Sequence, residues 1–103
     1  MDIINLTPHT LNIHNPQGII NLPSSGKVRV STEYKHVDTI NGVEVFECEY
    51  GRVEGLPEAK DGVIYIVSGL VKAAVPNRED VMSPGELVRD EHGRPIGCRG
   101  LRV

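Results

Sequence analysis

Residues 61–80, DGVIYIVSGLVKAAVPNRED, combine a continuous apolar run with a helix start. The five residues 63–67 are apolar, β-branched or aromatic, which is typical of a strand buried on both faces. Apolar residues then recur at helical spacing over residues 70–75, so the preceding Ser68 is a candidate helix N-cap. The stretch predicts a buried strand that leads directly into a short helix ending before Pro76.

Three hairpin signals surround this stretch. Residues 10–22 contain two short strand patterns on either side of the turn sequence Asn-Pro-Gln-Gly. Asn41-Gly42 favours a type I′ turn, in which both central residues have positive φ. Residues 86–99 contain two further strand patterns with Gly93 at the tip between them. We therefore expect antiparallel hairpins on both sides of the central strand.

The remaining segments carry weaker signals. Residues 34–40 are expected to be irregular or an edge strand, and residues 51–60 are expected to be a loop. Residues 78–85 are expected to be a connecting loop, because Ser-Pro-Gly favours a turn. With six to eight short strands and one helix, the chain is predicted to be a single compact domain over residues 1–103. The predicted fold is mainly β (α+β), a small and mostly antiparallel β-barrel or sandwich with one short helix.

The net charge of the chain is −3, and it is unevenly placed. Residues 1–50 carry three basic and six acidic side chains, whereas residues 51–103 carry eight of each. This balance argues against general nucleic-acid binding but permits a small phosphorylated ligand. The chain has no signal-peptide pattern and no apolar run of membrane-spanning length, so we expect a cytoplasmic protein without membrane contact.

The cysteine and histidine positions do not predict a metal site. Cys48 and Cys98 belong to no CxxC pair, so two buried free thiols are expected. The four histidines lack ligand spacing such as HxH or HxxxH. Ser68 lies outside a GxSxG motif, and no activating partner is visible. The expected protein is therefore non-enzymatic and uses no metal and no cofactor.

Polar residues near the ends of the predicted elements form the candidate ligand site. A helix start at Ser68 offers free backbone N–H groups to an anion, and arginine side chains bind planar or tetrahedral anions through two hydrogen bonds. The Thr-Pro-His-Thr stretch could contact a base or a ribose. A capped helix, solvated charges and locally satisfied turn hydroxyls are the alternative explanations. The predicted ligand-binding residues are Ser68, Arg78, Arg89, Arg99, Thr7, His9, Thr10 and Ser24.

Three stretches also carry a family resemblance: TPHT at residues 7–10, EGLPEAKDGVIYIVSGLV at 54–71 and SPGELVRDEHGRPIGCRGL at 83–101. Together they resemble a family of short proteins from phages, prophages and bacteria, over nearly the whole chain. The resemblance transfers no catalytic residue. It implies a small accessory phage protein in the host cytoplasm, and such proteins often disarm host defences. By analogy, it implies a compact, β-rich homo-oligomer that sequesters a nucleotide immune signal.

Two functions follow as expectations. The first is a non-enzymatic anti-defence protein, a homo-oligomer that binds and sequesters a small phosphorylated nucleotide. The alternative is a protein-binding inhibitor or minor phage assembly factor that acts through exposed strand edges around residues 43–50. A small hydrolase that uses Ser68 or His9 has the least support, because no activating pair is visible.

Overall fold

A computed structural model describes residues 1–103 as eight strands and one short helix. The elements, in chain order, are β1 (Asp2–Asn5), β2 (Leu11–Asn15), β3 (Gly18–Leu22), β4 (Arg29–Ile40), β5 (Val43–Glu54), β6 (Val63–Ile66), α1 (Gly69–Ala74), β7 (Val81–Arg89) and β8 (Pro95–Arg102). Strands hold 57% of the residues and the helix 6%, so the predicted mainly β fold with one short helix is confirmed.

Six strands form one curled sheet, a half-barrel, in the order β1-β6-β7-β8-β2-β3. The predicted hairpins are present, since β2 pairs antiparallel with β3, and β7 with β8. Between hairpins the pairing is parallel: β1 with β6, β6 with β7, and β8 with β2. The expectation of a mostly antiparallel sheet is therefore wrong for the half-barrel: three of its five pairings are parallel, because strands distant in the chain, rather than sequence neighbours, complete it.

The core lies around β6, as the apolar run predicts. Tyr65, Ile66 and Val67 are almost fully buried, and Val71 of α1 packs into the same cluster as Val67. Ile66 points to a second, smaller cluster that contains Ile13 of β2. β6 lies between two parallel neighbours, β1 and β7, and both of its faces are covered. Water is therefore excluded from its side chains, which explains its continuous apolar sequence.

β7 begins earlier than the sequence predicts. The expected loop over residues 78–85 is wrong for its second half, because Ser83-Pro84-Gly85 lies inside β7 and pairs with the end of β8. Gly85 makes this pairing possible, since a Cβ at that position would collide with the Arg99 carbonyl of β8. Close backbone approach, rather than a turn, is the reason for the glycine.

The long hairpin β4–β5 stands apart from the half-barrel as a separate two-stranded sheet, and we call it the arm. Its strands have 12 residues each, about 40 Å of extended chain. Of the two expectations for residues 34–40, irregular or edge strand, the edge strand is confirmed, since they belong to β4 of this two-stranded sheet. The loop expected over residues 51–60 is wrong for its first part, because β5 continues as far as Glu54. The type I′ turn is confirmed, with φ of 51° at Asn41 and 80° at Gly42.

The arm makes the molecule elongated. The radius of gyration is 16.7 Å, whereas a compact domain of this length has about 13 Å. Only 12 of 103 residues are buried, because most of the arm contributes nothing to the core. No helix of the chain is long and apolar enough to cross a lipid bilayer.

Candidate functional site

The hydroxyl groups of Thr7 and Ser24 and the carbonyl oxygen of His9 belong to one internal hydrogen-bond network. Asn5, which is 1% exposed, organises it. The Asn5 Oδ1 accepts hydrogen bonds from the Thr7 backbone N–H at 2.9 Å and from the Thr7 hydroxyl at 2.6 Å. Its Nδ2 donates to the carbonyl oxygens of His9 and Leu22, both at 2.8 Å. The network holds the loop after β1 against the end of β3.

Ser24 and Thr10, which were also predicted to bind a ligand, line no pocket. The Ser24 hydroxyl lies 2.6 Å from the Thr7 carbonyl oxygen and 2.9 Å from that of Gly26, so it ties two loops together. The Thr10 side chain is exposed. The locally satisfied turn is therefore the better explanation of Thr7, Thr10 and Ser24. The sequence analysis missed Asn5, although a polar residue that directly follows two isoleucines was a signal for a buried hydrogen-bonding side chain.

Ser68 is a helix cap, as its position predicts. Its Oγ accepts a hydrogen bond from the Val71 backbone N–H at 3.3 Å. The helix that follows has only six residues, so its dipole is short. The structure gives Ser68 a complete structural role at the entry to α1.

Arg78 is committed to an internal ion pair. Its guanidinium donates two parallel hydrogen bonds to the Asp80 carboxylate, each 2.8 Å long, and a third to the Pro57 carbonyl oxygen at 3.0 Å. The hydrogen bonds from Arg78 lower the pKa of Asp80 and, reciprocally, raise the pKa of Arg78. This bidentate pair fixes the loop before β7 and leaves little of the guanidinium for a ligand.

The structure does not bring Arg78 and Arg89 together. Arg78 precedes β7 and Arg89 ends it, and the nine residues of β7 place them about 30 Å apart. Arg89 donates to the Gly93 carbonyl oxygen of its own hairpin at 2.7 Å. Arg99 lines a cleft of about 270 Å³ with Asn15, Pro16 and His14, its partner in the parallel pairing of β8 with β2. The order of residues along the chain does not show how far apart these arginines lie, because the order of the strands in the sheet sets that distance.

The arm carries the largest group of exposed apolar side chains. Between its two register shifts, the pairs Thr32–Tyr50, Tyr34–Cys48 and His36–Phe46 stand directly opposite one another. Opposite residues of an antiparallel pair project from the same face. We call these six residues the aromatic face. Its aromatic side chains are exposed by 70% at Tyr34, 48% at Phe46 and 56% at Tyr50.

Side-chain contacts confirm that these residues share one surface. The rings of His36 and Phe46 meet edge to face with their centroids 5.5 Å apart. The charge of the Cys48 thiolate raises the pKa of Tyr50, with a smaller contribution from Tyr34. The expectation of two buried thiols is confirmed for Cys98, which lies in the half-barrel, and wrong for Cys48, which is exposed among these rings because nothing covers the arm. The aromatic face is thus a continuous surface with one accessible thiol.

The opposite side of the arm is charged, and we call it the acidic face. It is formed by the pairs Glu33–Glu49 and Lys35–Glu47. Over residues 31–50 the arm carries five acidic side chains and one lysine. The direct opposition of Glu33 and Glu49 destabilises the ribbon, since like charges on facing positions repel. Cross-strand attraction on this face therefore does not account for a stable arm.

The aromatic face continues onto the helix. Tyr50 and Gly51 at the base of the arm and Leu70, Ala73 and Ala74 of α1 line a corner of about 310 Å³. Leu70 is 47% exposed although it belongs to the helix that packs on the core. Contiguous apolar surface of this kind, bordered by charged residues, is characteristic of interaction sites. The sequence contained a signal for it, because Tyr34 and Tyr50 lie at similar distances from the Asn41-Gly42 turn, seven residues before Asn41 and eight after Gly42.

No group of three or more His, Cys, Asp or Glu side chains is placed so that it could hold a metal ion. Comparison with protein-family models, with curated proteins and with solved structures finds no match to this chain. The geometry of the arm is therefore the basis for assigning a function.

Proposed function

We propose that this protein is a non-enzymatic binding protein, of the inhibitor or assembly-factor type, that contacts a protein partner through its arm. The observation that carries the proposal is the aromatic face: three exposed aromatic side chains on a long ribbon that nothing in the chain covers. Tyrosine and phenylalanine are enriched at the centres of protein interfaces, where their burial supplies most of the binding energy.

The low stability expected for the arm by itself supports the same function. An isolated two-stranded hairpin is at best marginally stable in water, and strands of 12 residues are long for such a ribbon. Only the base of the arm is anchored, through Val30 and Val53, which pack against the core cluster. A partner that covers the aromatic face supplies the missing apolar contact and orders the arm.

Photo-crosslinking from Cys48 tests this proposal. Because Cys98 is buried, a benzophenone maleimide should label Cys48 alone in the folded protein. We expect the labelled protein, irradiated in a bacterial lysate or by itself, to give protein adducts. The matched control carries the label at Glu47→Cys in a Cys48→Ser background, on the acidic face. Absence of adducts from Cys48, or equal yields from both positions, would contradict an interface at the aromatic face.

Sequestration of a phosphorylated nucleotide remains a separate prediction. Of the arginines predicted for it, Arg78 lines an open depression but is paired there with Asp80, whereas Arg99 lines a cleft with His14 and Asn15. This arrangement offers one fixed positive charge, whereas capture of a nucleotide phosphate generally uses several donors. The arm is the better supported site.

A further inference from the structure

We infer that the partner covering the aromatic face is a second copy of this chain, packed arm to arm about a twofold axis. This inference rests on the proposed function of the arm and names its first partner. Such a dimer is isologous, since the same surface of each copy forms the contact.

The aromatic face is complementary to itself. Its central pair is Tyr34–Cys48, with Thr32–Tyr50 on one side and His36–Phe46 on the other. A twofold axis through the central pair brings the Thr32–Tyr50 end of one copy against the His36–Phe46 end of the other. Tyr50 of each copy then packs near Phe46 of the other, and the two Tyr34 rings meet near the axis, in the offset or edge-to-face arrangements that aromatic pairs prefer.

The area available matches a specific dimer. The three aromatic side chains are each about half exposed or more, which leaves roughly 100 Å² of each to be covered. Two copies contribute six such rings, together about 600–700 Å². The remaining members of both faces and the exposed Leu70 at the arm base raise the total to about 1,000 Å², the lower bound for a specific interface.

Charge selects this face over the other one. The aromatic face carries no acidic side chain between the two register shifts, whereas the acidic face carries three glutamates and one lysine. Packing two acidic faces together would bring like charges into a poorly hydrated contact, which is unfavourable. Packing two aromatic faces leaves all of these charges in water. The dimer therefore keeps both acidic faces and the outer strand edges open for any further partner.

The mass of the purified protein over a dilution series tests the inference. By light scattering or sedimentation, we expect twice the chain mass of 11.3 kDa. Tyr34→Ser with Phe46→Ser removes four aromatic rings from the dimer, so its dissociation constant should rise about a hundredfold or more. The matched control, Glu33→Ser with Glu47→Ser on the acidic face, should retain the dimer. A monomeric wild type, or a dimer that the control abolishes and the aromatic variant does not, would overturn the inference.

Cys48 supplies a second readout that does not depend on a variant folding. In the dimer, the two Cys48 thiols lie close to the axis, so copper phenanthroline and oxygen should join them. Two thiols lose two protons and two electrons, which pass to the oxidant, and one disulfide forms. We expect a crosslinked dimer from the wild type and none from Cys48→Ser. If Cys48 instead forms photo-adducts only with other proteins, the arm is an interface but its partner is not a second copy. No adduct of either kind would refute the proposed function itself.

Discussion

Replacement of Asn5 by alanine tests the polar network that closes the half-barrel. The side chain makes four hydrogen bonds, to the Thr7 N–H and hydroxyl and to the carbonyl oxygens of His9 and Leu22, at 2.6–2.9 Å. Each is worth about 1 kcal/mol net, and partners left unsatisfied in a buried site add to the loss. We expect Asn5→Ala to lower the free energy of unfolding by about 3–5 kcal/mol, a large part of the total for a small domain.

Urea unfolding, followed by circular dichroism at one protein concentration, measures this loss. With an m-value of about 1–1.5 kcal/mol per M, the midpoint should fall by about 2–4 M. Asn12→Ala is the matched control, because Asn12 is exposed and makes a single hydrogen bond of 3.5 Å to the Ile96 carbonyl oxygen. We expect that substitution to change the stability by less than about 0.5 kcal/mol. If Asn5→Ala stays within about 1 kcal/mol of the wild type, the network does not hold the seam between β1 and β3.

Four further outcomes follow from the structure. Val71→Ala should lower the unfolding free energy by about 2 kcal/mol, measured by the same urea titration, because the side chain is 2% exposed in the main core cluster. Asp80→Asn should lower the unfolding free energy near pH 7 by about 1 kcal/mol, a modest loss because the ion pair with Arg78 is partly exposed. Arg78 lowers the pKa of Asp80 in the folded state. The stability that the pair contributes is therefore present above the ordinary carboxyl pKa and is lost as the pH falls through the folded-state pKa. Stability of the Asn variant should therefore depend less on pH below about pH 4 than stability of the wild type. Gly42→Ala should cost about 1 kcal/mol at a φ of 80° and raise amide hydrogen exchange in the arm about fivefold, with no change in the half-barrel amides. If the cleft beside Arg99 binds a phosphorylated nucleotide, a thermal-shift panel should contain a ligand that raises the melting temperature of the wild type and not that of Arg99→Ala.

Local signals in the sequence predicted the elements that depend on neighbouring residues. The apolar run before Ser68, the Asn41-Gly42 turn and the hairpin with Gly93 at its tip all appear as expected. The prediction at Ser83-Pro84-Gly85 was wrong because turn chemistry and close strand approach select the same residue types. Composition at that position could not reveal that the Arg99 backbone would lie beside it.

The candidate site was harder to predict, since it depends on contacts between distant segments. Arg78 and Arg89 are eleven positions apart in sequence but lie at opposite ends of one strand. The aromatic face could be predicted in part from the alternation on both sides of the Asn41-Gly42 turn. The exposure of this face could not be predicted, because it depends on where the rest of the chain lies.

The sequence by itself determined the buried strand β6, the hairpin turns and the helix cap of this protein, because φ/ψ preferences and apolar periodicity act over a few residues. The tertiary structure alone decided the parallel pairings of β1, β6 and β7, the internal use of Arg78 and Asn5, and the exposure of the arm. These features depend on which distant segments share backbone hydrogen bonds and buried area, and chain order does not specify that choice. The apolar surface of the half-barrel packs around β6, and the aromatic face of the arm is left exposed.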